Sequence, residues 1–244
     1  MKYLYGIVRG EQVPVETIGM DGAAVTYVAH DGLAVLVSDT DVEQYEQTRR
    51  YMMVHTKVLE EGMRHQNVLP IRFNTIAPRE EIIVEQLLTQ RRDEILGLFE
   101  MVDGRIELGV KAYWYQERLF DDVVASNPPI QQLRDSLVGK GENESYYERI
   151  ELGQMIEKAI EQKREDEKEQ ILQELQPLAK KMKTSHIGSE RMVVNASFLI
   201  DRQREEAFDA AVNKLDGVLG EKMKFKYVGP VPPYNFVNLV VRWR

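Results

Sequence analysis

DGRIELGVKAYW, Asp103 to Trp114, divides the chain and sets its fold class. Asp-Gly closes one block with turn chemistry. Beyond it Ile106, Leu108, Val110, Ala112 and Trp114 alternate with Arg105, Glu107, Gly109, Lys111 and Tyr113. A period of two marks a strand with one buried face. Strand and helix patterns succeed each other on both sides, which predicts an α+β protein. The expected organisation is an N-terminal domain over residues 1–104, a C-terminal domain over 105–228, and an extended segment over 229–244.

Working back, Tyr3 to Val8 reads as the first strand. Ala24 to Val28 and Leu33 to Val37 flank His30-Asp31-Gly32, a hairpin signal. Thr40 with Glu43 three residues later predicts a capping box. The helix it opens carries Tyr45, Met52, Val58, Leu59 and Met63 and ends near His65. VLPIRFNT, Val68 to Thr75, is an apolar run broken by Pro70, which suits an edge strand. Pro78 then fits the first turn of a second helix, with Ile82, Ile83, Leu87, Leu88, Ile95 and Leu98 at helical spacing.

Working forward, Asn127-Pro128-Pro129 and Gly139-Lys140-Gly141 bracket a shorter helix. Ser145 and Glu148 form a second capping box, opening the longest helix, which is expected to run to about Met182. Its centre, EQKREDEKEQ from Glu161 to Gln170, has no apolar residue, so no face of it is expected to be deeply buried. Glu161 with Arg164 and Glu165 with Lys168 are natural pairs there. The stretch is either a solvated overhang or a charged handle for a partner. Met192 to Ile200 reads as a strand. Asp201 is placed to cap a helix through Ala207, Phe208, Ala211, Val212 and Leu215, with Asp216-Gly217 to end it. In KMKFKYV, Lys222 to Val228, the lysines lie opposite Phe225 and Tyr227. Base stacking wants both on one surface, so edge protection is the better reading.

Composition narrows the function. The 32 basic and 40 acidic residues give a net charge of −8, which argues against nucleic acid or anionic membrane as a partner. The absence of cysteine excludes disulfides and thiolate chemistry and fits a reducing, cytoplasmic setting. His30, His55, His65 and His186 form no metal-binding spacing and read as surface or turn residues. GKGEN, Gly139 to Asn143, lacks the P-loop spacing. No nucleophile elbow occurs. Neither a catalytic residue, a cofactor nor a metal is expected.

GPVPPYNFV, Gly229 to Val237, holds three of the nine prolines. It reads as a polyproline ligand for another protein, a disordered tail, or a strap across the chain's own surface. Alternating Val237, Leu239, Val241 and Trp243 need a surface to cover, which favours the strap. It is expected to add an edge strand and to bury Tyr234 and Phe236, with Arg72 as an anchor for the tail or a carboxylate.

YLYG at Tyr3 to Gly6, VLPIRFNT, ELGVKAYW at Glu107 to Trp114 and GPVPPYNFV, in this order and spacing, resemble the gas vesicle GvpF/GvpL family. The match spans almost the whole chain. Family members commonly carry Gly where Asn74 stands and an aromatic where Val231 stands. The resemblance implies a C-terminal domain similar to a modified ferredoxin-like fold. It also implies a non-enzymatic accessory or minor structural protein of gas vesicles, the gas-filled shells of buoyant prokaryotes. Its partners would be the major shell protein GvpA/GvpB and other accessory proteins. Candidate contacts are then Glu161, Arg164, Glu165 and Lys168 with Arg72, Tyr234 and Phe236. The alternative is a small-molecule-binding enzyme or sensor on a ferredoxin-like scaffold.

Overall fold

The computed structural model describes residues 1–141 and 143–243; Glu142 of the Gly139–Asn143 loop and the terminal Arg244 lie outside. The protein is a mixed α+β structure with two antiparallel sheets. It divides into two compact units. One comprises Met1–Glu107, Leu199–Arg202 and Gly229–Arg244, and the other Leu108–Phe198 and Gln203–Val228.

In the first unit, strand β1 (Lys2–Arg9) lies at the centre, between β3 (Leu33–Asp39) and β4 (Val68–Pro70), with β2 (Val25–His30) beyond β3 and the short β5 (Ile76–Ala77) also on β1. The β2–β3 hairpin turns through Asp31 (φ 49°) and Gly32 (φ 77°), the pair of positive φ values that a two-residue turn of primed type requires. β1 is buried on both faces. Its pairing with β3 slips between Leu4 and Gly6, so Tyr5 is a bulge residue. The bulge inverts the alternation. Tyr3, Tyr5 and Val8 face one core with Leu36, Val58 and Leu59, whereas Leu4 and Ile7 face another with Val35, Val37, Leu87 and Phe99. A Cβ on Gly6 would stand 2.7 Å from Leu59 Cδ2 and Val68 Cγ1, so only glycine fits there.

Helix α1 (Arg49–His65) starts nine residues after the predicted cap. Thr40 is occupied elsewhere: its hydroxyl accepts from Val42 N at 3.1 Å and meets Tyr45 Oη at 2.7 Å. Tyr45 is itself held by Asn74, so the segment is committed to tertiary bonds, and Thr48 is the N-cap. The helix predicted from Pro78 is also interrupted. A short α turn, α2 (Glu80–Ile82), passes into a π-helical stretch, Ile83–Thr89, before α3 (Arg92–Val102). The wider turn, with Gln90 N bonding Glu85 O, lets Ile83, Leu87, Leu88, Ile95 and Phe99 all reach one core.

His55, expected at the surface, is buried on α1 and closes a proton-ordered chain. Asn74 N donates to Tyr3 Oη at 3.1 Å, so that hydroxyl donates to His55 Nδ1 at 2.9 Å, and Nε2–H donates to Ile71 O at 3.1 Å. Asn74 sits at φ 70°, a left-handed position suited to Asn or Gly. The YLYG and VLPIRFNT segments are thus joined through one neutral imidazole.

The second sheet has the order β7-β8-β6-β9, from β6 (Arg105–Trp114), β7 (Lys181–Thr184), β8 (Met192–Asp201) and β9 (Met223–Val231). Between β6 and β7 lie α4 (Gln116–Ser126), α5 (Pro128–Ser136) and α6 (Tyr146–Leu175), and α7 (Glu205–Leu219) joins β8 to β9. The predicted capping box at Ser145 does not form. Its hydroxyl donates to Gly141 O and accepts from Arg149 Nε. α6 stops at Leu175 because Pro177 follows, and Met182 lies in β7 rather than at a helix end. Asp201 pairs with Arg105 at 3.3 Å instead of capping α7, which runs past Gly217 to Leu219.

Two predictions follow from these contacts. Gly6→Ala overpacks the Leu59–Val68 contact and should lower stability by about 1–3 kcal/mol, read as a lower urea midpoint with unchanged slope. Burial lowers the His55 pKa from 6.5 to about 4 in the folded protein. Between those values the unfolded chain binds a proton that the native state does not, so stability should fall as pH drops from 6.5 towards 4. The loss is roughly 3 kcal/mol at most. His55→Gln should abolish that component, seen as the wild-type minus variant difference across this pH range.

Candidate interaction surface

The polar centre of α6 is not a solvated overhang. Trp114 ends β6 on the buried face and needs an acceptor for its indole N–H. Glu167 supplies it at 2.5 Å and is itself 8% exposed, with Lys163 Nζ at 2.7 Å from its other oxygen. Arg164 lies over the Trp114 ring, 5.4 Å from its centre, and donates to Glu190 O at 2.8 Å. The middle of the helix is thus buried along one line by charged residues in place of apolar ones. Glu165 and Lys168 pair at 2.9 Å on the outer side, and Glu161 is exposed. Sequence reasoning missed Lys163 and Glu167; the legible signal was an inward-facing Trp114 with no partner in its own strand.

Beside this line an open cleft of about 820 Å³ lies between α4, α6 and Ser189–Arg191. Leu119, Ile156 and Ile160 give it an apolar side, and Glu157, Glu161 and Arg191 a charged one. Among the described residues no cluster of His, Cys, Asp or Glu is arranged to hold a metal ion. Among them, too, no helix is long and apolar enough to cross a membrane.

The C-terminal segment belongs to the first unit. Val237 and Leu239 are buried in the core of Leu4, Ile7, Val35 and Leu87, with Val241 and Trp243 packed at its edge. Arg72 Nη2 donates to Asn238 Oδ1 at 2.6 Å, Arg91 Nη1 to Val240 O at 2.6 Å, and Trp243 Nε1 to Ile76 O at 2.5 Å. Glu107, on the nominally polar side of β6, is 2% exposed and accepts from Asn235 N and Nδ2. Two expectations are corrected here. The segment after β9 forms a turn at Tyr234–Phe236 and no ladder strand follows among the described residues. A side-chain donor, Arg91, takes the Val240 carbonyl instead. Pro232 and Pro233 are buried, whereas Phe236 is half-buried and Tyr234 is 38% exposed. The Tyr234 hydroxyl is the sunken end: burial pushes its pKa up to about 12 against a hydrogen bond with Thr56.

These features define a mixed helix-and-sheet protein whose candidate sites are faces of helices and a packed terminal segment. Residues 1–238 match the family model described as gas vesicle synthesis protein GvpL/GvpF. The chain belongs to that family. It is 32% identical to gas vesicle protein F of a Nostoc species over 242 residues, covering 97% of this chain and 98% of the relative. It is 31% identical to gas vesicle protein F of Microcystis aeruginosa, covering 98% of each. Among solved structures it resembles GvpF from an Anabaena species with a TM-score of 0.88 at 31% identity, over 98% of this chain and 99% of that one. GvpF from Microcystis aeruginosa gives 0.79 at 30% identity, with the same coverage.

The terminal segment is the part of this surface most open to test. Leu239→Ala should cost about 2–5 kcal/mol, the range for a buried leucine, measured by urea unfolding. A cost below ~0.5 kcal/mol, typical of a surface site, would contradict the packing described.

Proposed function

We propose that this protein acts in gas vesicle formation as a non-enzymatic accessory protein that binds shell subunits or other accessory proteins. Family membership along nearly the whole chain carries this reading. A shell that holds gas needs subunits with a strongly apolar face, and such faces aggregate in water before assembly. An acidic partner keeps the complex soluble, and this chain has a net charge of −8. Retention as a minor shell component is compatible with the same binding role.

The major shell protein GvpA/GvpB is the proposed first partner. On this reading the outer side of α6, with Glu161, Glu165 and Lys168, is a candidate contact. Arg164 supports it from below through Trp114. Arg72 and Phe236 serve the docked tail, while Tyr234 presents the exposed part of its ring. The cleft beside α6 is open rather than enclosed, which favours an interaction surface over the small-molecule alternative.

Co-expression with tagged shell protein and with each accessory protein of the same gene cluster tests the proposal. The expected result is co-purification of this chain with at least one of them. Absence of both co-purification and cross-linking with every one would sink it. Urea washing of purified vesicles separates the two modes: a retained component stays with the shell, a transient factor does not.

A further inference from the structure

Helix α1 buries His55, Val58, Leu59 and Gly62 inward, and Tyr234 reaches it at Thr56 while Glu16 and Thr17 meet it at Glu61; the stretch around Met52 and Met53 stays open. There Met52 and Met53 are 50% and 46% exposed, a high value for adjacent apolar side chains. Two shallow hollows of about 500 and 440 Å³ lie along them. Taken together, the linings of the two hollows hold three cations, Arg49 and Lys57 in each and Arg50 in the second, against one carboxylate, Glu60 in the first. The protein as a whole is acidic, so this face has the opposite local sign.

The cations are also placed against local stability. Arg49 and Arg50 open the helix, whose first turn has no acidic residue, although the helix dipole disfavours positive charge at that end. Among the described residues none forms an ion pair with Arg49, Arg50 or Lys57. Arg50 rests over the Tyr51 ring at 5.7 Å, which fixes its direction without neutralising it. Methionine suits a contact that must adapt to its partner, being unbranched and polarisable.

We propose that this face of α1 docks an acidic amphipathic helix of a partner protein. Its apolar side lies on Met52 and Met53 and its carboxylates meet Arg49, Arg50 and Lys57. Charge complementarity with Arg49, Arg50 and Lys57 selects an acidic occupant, and the reading of the protein as a binder of vesicle proteins makes that occupant a protein helix rather than a lipid surface. The proposal rests on the reading of the protein as a binder of vesicle proteins and names the surface and the partner chemistry for it.

The test uses the full chain and a fluorescein-labelled helical peptide with leucine on one face and glutamate on the other, followed by fluorescence anisotropy. Binding is expected for the wild type, and weaker binding as salt rises. R49E/R50E/K57E should weaken it roughly tenfold or more, and M52S/M53S should also weaken it. All five residues are exposed, so circular dichroism should stay at the wild-type level and the urea midpoint should not fall, with glutamates at the helix start raising it slightly. No binding by the wild type, or equal binding by the charge-reversed chain, overturns the proposal. Equal binding of a lysine-for-glutamate peptide also overturns it, leaving an apolar face without charge selection. Self-association, or binding to phosphatidylserine vesicles, that is lost in the charge-reversed chain would assign the face to a second copy or to lipid instead. Co-purification distinguishes the two levels of claim. If R49E/R50E/K57E still retains vesicle partners, the surface is wrong and the function stands; if the wild type retains none, the function fails.

Discussion

The first unit depends on one strand that is buried on both faces. β1 has no exposed side between Tyr3 and Val8, so each face must be covered by something else. On the Tyr3 and Tyr5 side, α1 does this, and the polar atoms that the tyrosines bring inside are paired with His55, Ser38 and Asn74. On the Leu4 and Ile7 side, the π-helical stretch and α3 cover the sheet together with Val237 and Leu239. The chain's last residues are therefore part of the same core as its first strand. A bulge at Tyr5 makes both assignments possible, because it lets tyrosines and aliphatics exchange faces within a single strand.

Much of this was legible in the alternation of side chains. The Asp31-Gly32 turn, the reach of β6 and the inward set Val237, Leu239, Val241 and Trp243 follow from period and turn chemistry alone. Boundaries failed where a distant partner claimed the local signal. Thr40 has good cap chemistry, but Tyr45 and Asn74 draw its segment into a tertiary network 29 residues apart in sequence. Ser145 likewise turns back to Gly141. The π-helical stretch leaves no mark on hydrophobic spacing, since Ile83, Leu87 and Leu88 suit an α-helix equally well. Pro177 was a visible stop that apolar spacing out to Met182 masked.

The candidate surfaces were less legible, for a related reason. A run of ten polar residues looks unburied on any helical wheel, yet Glu167 is inside because Trp114, 53 residues away, needs an acceptor. Glu107 sits on the polar phase of its strand and is buried by Asn235, 128 residues later. Buried charge of this kind is set by pairing rather than by hydropathy. The same principle, applied outward, singles out α1: among the described residues Arg49, Arg50 and Lys57 form no ion pair, unlike buried Glu167 with Lys163, and they stand beside the exposed Met52 and Met53.

Amide hydrogen exchange on the intact chain and on a chain ending at Phe236 tests most directly whether the C-terminal residues complete the first core. The account predicts that the truncation speeds exchange through Ile83–Val102 and at Ile71, whose N–H bonds Tyr5 O at 2.9 Å, while α6 and α7 keep their protection. Unchanged protection of Ile83–Val102, with residues 237–243 of the intact chain exchanging at unprotected rates, would contradict it.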